Sequence, residues 1–362
     1  MRWLPWLAIA LVGCASKTGD AALPLGNDGA SCGSCHETHY DEWAASSHAT
    51  SARSPLLEAM LPDVEAAWGA FARQTCEGCH APEHGDDEGI GCVSCHAAVG
   101  NQSPRDGQLR VDLTVPLAGP LDDPAETPAH TSRPSGFLAS PQLCGTCHEL
   151  TGPNLVEEPT LTEHLASPQA AMGMGCMDCH MPETAPRALT DEGPERATRS
   201  HRFVGFDPPW GADRETAERH AAQTRQLLDD ALDLSVTRAD GGVEITVHNV
   251  GAGHAVPTGA TFLRDLWVDV EHDGEIVAAR VLQLGDQPMQ ADAPVALLTQ
   301  ADRVEVHSLA AGATRTAVVD VDGPVRVVLR GRAVRASVLE ALSLEDRSAE
   351  VPVHVIESHP LP

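Results

Sequence analysis

Lysine is nearly missing from this chain. Lys17 is the sole lysine among 24 Lys and Arg residues. Basic residues are outnumbered by 52 Asp and Glu, which leaves a formal net charge of −28. Binding to a phosphate backbone needs a basic surface, so nucleic acid is excluded as a partner class. Aromatic side chains are scarce too, at 3%, with one Tyr. A large core packed by the chain's own aromatic rings is therefore excluded. After the N-terminus there is no run of about 20 apolar residues, so no later segment is suited to cross a bilayer as a helix. What the chain has in excess is Cys, with 11 residues, and His, with 18. A length of 362 residues suggests two or three domains, each able to bury a core.

The first residues read as an export signal. Met1-Arg2 is a short basic start, and Trp3 to Val12 is an apolar stretch too short to span a bilayer. It runs into Leu11-Val12-Gly13-Cys14, which resembles the bacterial lipoprotein processing box. Ordinary signal cleavage beside an incidental cysteine is the plainer alternative. The lipoprotein reading predicts a signal peptide over 1–13, acylation of Cys14 and stable membrane anchoring. Ala15, not Asp, follows the cysteine, and in the lipoproteins this resembles that favours the outer membrane. The expected location is the periplasm, anchored to the outer membrane. Residues 14–30 are small and polar with several Gly, as in a tether.

The other ten cysteines fall into five copies of Cys-x-x-Cys-His. They are Cys32/Cys35/His36, Cys76/Cys79/His80, Cys92/Cys95/His96, Cys144/Cys147/His148 and Cys176/Cys179/His180. Chance would supply roughly 0.02 such motifs in a chain of this composition. The motif is that of c-type haem attachment: two thiols add to the vinyl groups, and the adjacent His ligates iron from the proximal side. Disulfides do not explain a His after every second Cys, and zinc ribbons lack a His abutting each pair. Five covalent c-type haems are expected, with His36, His80, His96, His148 and His180 as proximal ligands.

The remaining His must supply any sixth ligand, and that ligand decides between electron transfer and an open, reactive iron. Several segments here resemble the multihaem c-type cytochromes related to the tetrahaem electron acceptor of hydroxylamine oxidoreductase. Cys32 to His48 reads CGSCHETHYDEWAASSH, similar to that family's haem motif followed by Trp-x-x-Ser-x-His. CEGCHAPEH at 76–84 is similar to its CHGPG-x-x-H segment, with Ala81 and Glu83 in place of two glycines and a shorter spacing. CMDCHMP at 176–182 carries its Met-Pro, and His201-Arg202-Phe203 with Gly205 resembles its His-x-Phe-x-Gly. HNVGAGHAVPTG at 248–259 resembles the Ala-Gly-His-x-x-Pro-Thr-Gly box downstream of such haem regions. The resemblance covers roughly 30–275 and implies His48, His84, His130, His201 and His254 as distal ligands. His130 rests on no sharp motif; it lies in a Pro/Ser loop 14 residues before Cys144.

Other His carry plainer readings. His39 reads as a surface or supporting residue. His164 sits in Thr162-Glu163-His164-Leu165-Ala166-Ser167, which echoes Asp41-Glu42-Trp43-Ala44-Ala45-Ser46; the copy then has Gln169 where the first has His48. His164 is thus expected to pack against a haem. His220 lies on a charged helix and is expected to be solvated. His248, His272, His307, His354 and His359 read as strand or tail residues. Met172, Met174, Met177 and Met181 read as haem packing, with ligation of the fifth iron as the sharper alternative.

The function expected is electron transfer by five haems, most of them bis-His, exchanging electrons with other redox proteins such as c-type cytochromes. His80 and His96 are 16 residues apart, so their haems must be neighbours. No residue is assigned a catalytic role. The alternative is a multihaem reductase of a small nitrogen or sulfur compound at one five-coordinate haem. Pentahaem nitrite reductases put a Lys where the motif's His stands, and here all five motifs end in His. Hydroxylamine oxidoreductases crosslink a Tyr to haem, and the one Tyr here, Tyr40, lies in the wrong context. A third reading is a docking subunit whose C-terminal region holds a partner.

The expected architecture is multidomain: an irregular, mostly α multihaem cytochrome c domain over 31–205, a linker helix within 206–233, and an all-β, immunoglobulin-like sandwich over 234–362. A strand is expected at 109–115, an amphipathic helix at 213–232 capped by Asp213, and a short helix at 336–343. Strands are expected at 234–238, 243–250, 262–271, 275–284, 302–308, 313–321, 324–331 and 350–356. The loop at 251–259 would present His254 to a haem and so fasten the β region to the haem region.

Overall fold

The computed structural model describes residues 28–82, 88–103, 107–124, 127, 129–152, 155–188 and 195–362. The N-terminal signal, Cys14 and His84 lie outside these residues. From Asp28 to Ser200 the regular elements are short: helices of 4–14 residues and strands of 2–6. Local caps explain where several begin. Asp28 accepts from Ser31 N at 2.8 Å at the start of Gly29–Gly33, and Ser167 accepts from Ala170 N at 3.1 Å before Pro168–Ala171. Pro55, Pro141 and Pro168 each open a helix, where a missing N–H costs nothing. The strand expected at 109–115 is shorter, Leu109–Val111, and pairs with Ala98–Asn101.

The helix expected at 213–232 runs Arg214–Ala231, and the Asp213 carboxylate accepts from Thr216 N at 3.0 Å. Its buried stripe is His220, Thr224, Leu228 and Ala231, spaced by three or four residues. The chain passes from it directly into the strand Leu232–Ala239.

Two antiparallel sheets follow. One has three strands in the order Thr314–Val319, Gly242–Asn249, Leu232–Ala239. The other has four, in the order Glu275–Gln283, Asp265–His272, Val325–Arg332, His354–Leu361. Their inner faces share one core. Leu234, Val243, Ile245 and Val247 come from the first; Leu266, Val268, Val270, Val327 and Leu329 come from the second. The period of two places each set on one face. Each fully buried Val, Leu or Ile contributes about 1.5–3 kcal/mol. A third small sheet joins Gln287–Gln290, Ala293–Pro294 and Arg303–Glu305. The molecule is thus a mixed helix-and-sheet assembly.

Three details depart from the expected strands. The run expected from 262 begins at Asp265, because Thr261–Leu263 forms a 3-10 turn. The final strand begins at His354 rather than 350, because 345–350 is a 3-10 turn and Val351 O accepts from Arg332 Nε at 3.1 Å. Gln287–Gln290 is a strand that four residues containing Pro288 did not announce. The short helix is Ala336–Ala341.

Candidate functional site

Each Cys-x-x-Cys-His segment is wound as a helical turn. Three lie wholly inside helices: Cys76 to His80 ends Ala70–His80, and Cys92–His96 and Cys176–His180 are helices by themselves. In the other two the His N–H reaches back four residues, His36 to Cys32 O at 3.0 Å and His148 to Cys144 O at 2.9 Å. Helical winding puts residues i, i+3 and i+4 on one face. Both sulfurs and the imidazole of each motif therefore serve the same side of one group.

A second imidazole stands opposite four of the five proximal His. Ring centroids are 6.2 Å apart for His36 and His130, 6.2 Å for His96 and His201, 6.3 Å for His148 and His48, and 6.1 Å for His180 and His254. Metal–imidazole nitrogen bonds of about 2 Å on both sides of one iron require centroids about 6 Å apart. The residues present fit a haem iron between each pair. The partner implied for His80 is His84, which lies outside the described residues.

The distal side chains are held by buried scaffolding. Trp43 is buried and its Nε1–H donates to Ile90 O at 2.8 Å, which fixes the turn that carries His48. Glu42, also buried, accepts from the His201 backbone N at 2.8 Å. Phe203, with φ 47°, wedges its ring between two distal imidazoles, 4.5 Å from His48 and 5.8 Å from His201.

The loop carrying His254 is held by the second copy of the same sequence pattern. Glu163 accepts from Ala255 N at 3.1 Å and from Thr258 Oγ1 at 2.7 Å. The His164 ring pairs with Gly253 O at 3.2 Å, as Trp43 pairs with Ile90 O. Gln169 Nε2 donates to Gly251 O at 3.1 Å. Gly251 is obligatory here, since a Cβ would stand 2.0 Å from Asp230 O. Asn249 closes the loop by donating to His254 O at 2.8 Å and Leu309 O at 2.9 Å.

The opposing rings also show their tautomers through their backbone partners. Nδ1 lies 2.8 Å from Ala118 O in His96, 2.6 Å from Val204 O in His180, 2.9 Å from Arg199 O in His201 and 2.8 Å from Ala255 O in His254. A carbonyl accepts, so Nδ1 carries the proton and Nε2 is free to ligate. Burial lowers the pKa of His48 to about 3 and of His254 to about 4, so both are neutral donors at neutral pH. His80 Nδ1 is buried without a hydrogen-bond partner.

Cysteines of different motifs meet. The thiols of Cys32 and Cys92, of Cys79 and Cys147, and of Cys144 and Cys176 hydrogen-bond each other, and Cys144 also feels Cys95. In Cys92 and Cys79 the shared proton and burial push the thiol up. The fourth motif thereby adjoins the second, third and fifth, and the first adjoins the third. Nine of the described cysteines are free thiols, while Cys35 is disulfide-bonded and needs reduction before a thioether can form there.

Several residues differ from expectation or were not anticipated. His220 is buried rather than solvated, 8% exposed, and burial lowers its pKa to about 4. It occupies the inward stripe of a helix whose other faces carry the charges. His39 supports a ligand, its ring meeting His201 edge-on at 4.6 Å. His164 is buried as expected and lines a cavity with Cys144, Cys176, Met174 and Met177. Glu42, Glu163, Phe203 and the Asp207–Arg264 pair carry no motif. The Glu42/Glu163 match in the repeated segment was the one available signal.

Residues 31–104 match the family described as cytochrome c554 and c-prime. Among solved structures the chain is similar to a penta-heme cytochrome c552 from Thermochromatium tepidum, with 18% sequence identity and a TM-score of 0.62, over 91% of this chain and 97% of that one. No curated protein matches. At that identity the likeness establishes the fold. Together the two matches support a multihaem c-type cytochrome, with haem c as cofactor and electron transfer as function.

Proposed function

We propose that this chain is an exported electron-transfer cytochrome carrying five covalent c-type haems, most of them ligated by two His, within the group related to the tetrahaem acceptor of hydroxylamine oxidoreductase. The observation that carries the reading is the set of four opposed imidazole pairs 6.1–6.3 Å apart, each with one member in a Cys-x-x-Cys-His turn. Haem iron supplies reversible one-electron exchange. The chain's part is to present ten cysteines for attachment, to fix each imidazole through its Nδ1 partner and to keep the anchors of neighbouring motifs in contact.

The reductase reading needs an iron with only one imidazole, and a second imidazole faces four of the five proximal His. Mass spectrometry of the exported protein tests the haem count, with five additions expected. EPR of the same sample tests the ligation. All low-spin signals, with no change on adding nitrite, hydroxylamine or tetrathionate, are expected; a high-spin signal that reacts would favour the reductase.

The finer organisation belongs to the same proposal. Residues 1–13 are a lipoprotein signal, 14–30 a tether, 31–205 the haem domain, 206–233 a linker helix and 234–362 an immunoglobulin-like sandwich. Two antiparallel sheets facing across one core support the last point. Acylated Cys14 would hold the protein at the outer membrane, and Cys14→Ala would release it to the soluble periplasmic fraction. Its partners would be other redox proteins with basic docking faces, given the charge of −28, and association would weaken with salt.

A further inference from the structure

We infer that the chain grades its iron centres through the hydrogen bonds of the axial imidazoles: the centres held by His96/His201 and His180/His254 are the hardest to reduce, and the centre held by His148/His48 is easier. This rests on the axial pairing proposed above.

In the first two centres all four rings have Nδ1 at 2.6–2.9 Å from a backbone carbonyl. An imidazole that donates from Nδ1 gains electron density at Nε2. A stronger donor stabilises the higher oxidation state of iron and lowers its reduction potential. These acceptors are backbone atoms of ordered turns, so the effect is built in.

The rings of His48 and His148 have no such partner among the described residues. What acts on them is burial and the neighbouring imidazoles of His180 and His80. Phe203 packs on His48 at 4.5 Å. Weaker donors in an apolar setting favour the less charged, reduced iron, so this potential rises. The His130 ring makes only long contacts, 3.4 Å to Thr131 O and 3.3 Å to Ser132 Oγ. Its centre falls between the two groups. Because the fourth motif adjoins three others, the more easily reduced centre sits at the junction of the array, and electrons would collect there rather than at an end.

The ring planes give the test its handle. They are 11° and 17° apart in the first two centres, against 45° for His148/His48 and 40° for His36/His130. Near-parallel imidazoles give rhombic low-spin EPR spectra, and tilted ones give more anisotropic spectra. An EPR-monitored reductive titration of the full holoprotein should lose the anisotropic signals first and the rhombic signals last. Simultaneous loss, or the reverse order, overturns the grading. His254→Met, which replaces a hydrogen-bonded imidazole by a thioether, should raise the potential of one rhombic signal and leave the tilted signals unchanged; a change in a tilted signal overturns the pairing. The wild-type titration decides the matter if that variant does not mature. A high-spin signal in the isolated protein overturns the bis-His reading itself, whereas an all-low-spin protein with the wrong order overturns only the grading.

Discussion

The imidazoles of His96 and His201 face each other at 6.2 Å, with planes 11° from parallel, although 105 positions separate them in the chain. His96 is delivered by the helix Cys92–His96 and oriented by Ala118 O. His201 sits in an extended segment held by its own Arg199 O and, through its backbone N, by Glu42. Three stretches of sequence therefore converge on one iron-sized gap, and each can be perturbed separately.

Glu42→Ala should remove a charge-assisted hydrogen bond to the His201 backbone at a buried site. The expected loss is about 2 kcal/mol. Glu42→Gln keeps an acceptor and should cost less. Chemical unfolding of the holoproteins measures both, and EPR should show one rhombic signal broadened in the alanine variant alone. Equal stability of wild type and Glu42→Ala would remove this role.

His254→Ala should leave the iron at His180 with a single protein ligand. One haem in five then converts from low to high spin, and the loop at 251–259 loses its attachment to the haem region. Optical and EPR spectra read the first effect. Five unchanged low-spin haems would show that His254 is not a ligand.

Asp207 and Arg264 form a two-pronged ion pair at 2.5 and 2.6 Å, joining the segment after the haem motifs to the β region. The Arg264 side chain is 9% exposed and the Asp207 side chain 44%. Asp207→Asn leaves a buried guanidinium short of its counter-charge. Truncating a fully buried pair costs about 3–5 kcal/mol. The half-exposed carboxylate reduces the expected loss here to about 2 kcal/mol. A double-mutant cycle with Arg264→Met should show strong coupling; additive effects would sink the idea.

His220 supplies a pH dependence with a definite sign. Its folded pKa is about 4, against 6.5 for the free side chain, and burial is the main cause. Between those values the unfolded chain binds the extra proton, so stability falls as pH drops from 6.5 towards 4. The slope from one such group is at most about 1.4 kcal/mol per pH unit. Glu158 acts oppositely: burial raises its pKa from 4.5 to about 7, so its contribution is lost as pH rises through that range. Comparing wild type with His220→Gln isolates the histidine. The variant should show a smaller loss of stability on acidification from pH 7, and an identical pH profile would exclude His220.

Much of the candidate site was legible because covalent attachment chemistry is local. Five residues in a row specify two sulfurs and an imidazole on one helical face, and nothing distant is needed. The Asp213 cap and the switch to a two-residue period near 234 were legible for the same reason. The burial of His220 was not, since the charged composition of its helix outweighed the one inward stripe. The strand Gln287–Gln290 was too short, and the role of Glu163 depends on a loop 92 positions away.

The sequence by itself determined how many attachment motifs the chain carries, which His abuts each one, and where the β-rich region begins. Only the tertiary structure decided which distal imidazole faces which proximal one, which motifs adjoin, and which rings have a carbonyl at Nδ1. The physical reason is that an axial ligand needs only to arrive at the right distance with a free Nε2, and any His on any loop meets that chemical requirement. Which one arrives depends on buried contacts far apart in sequence, such as Glu42 with His201 and Glu163 with the loop of His254.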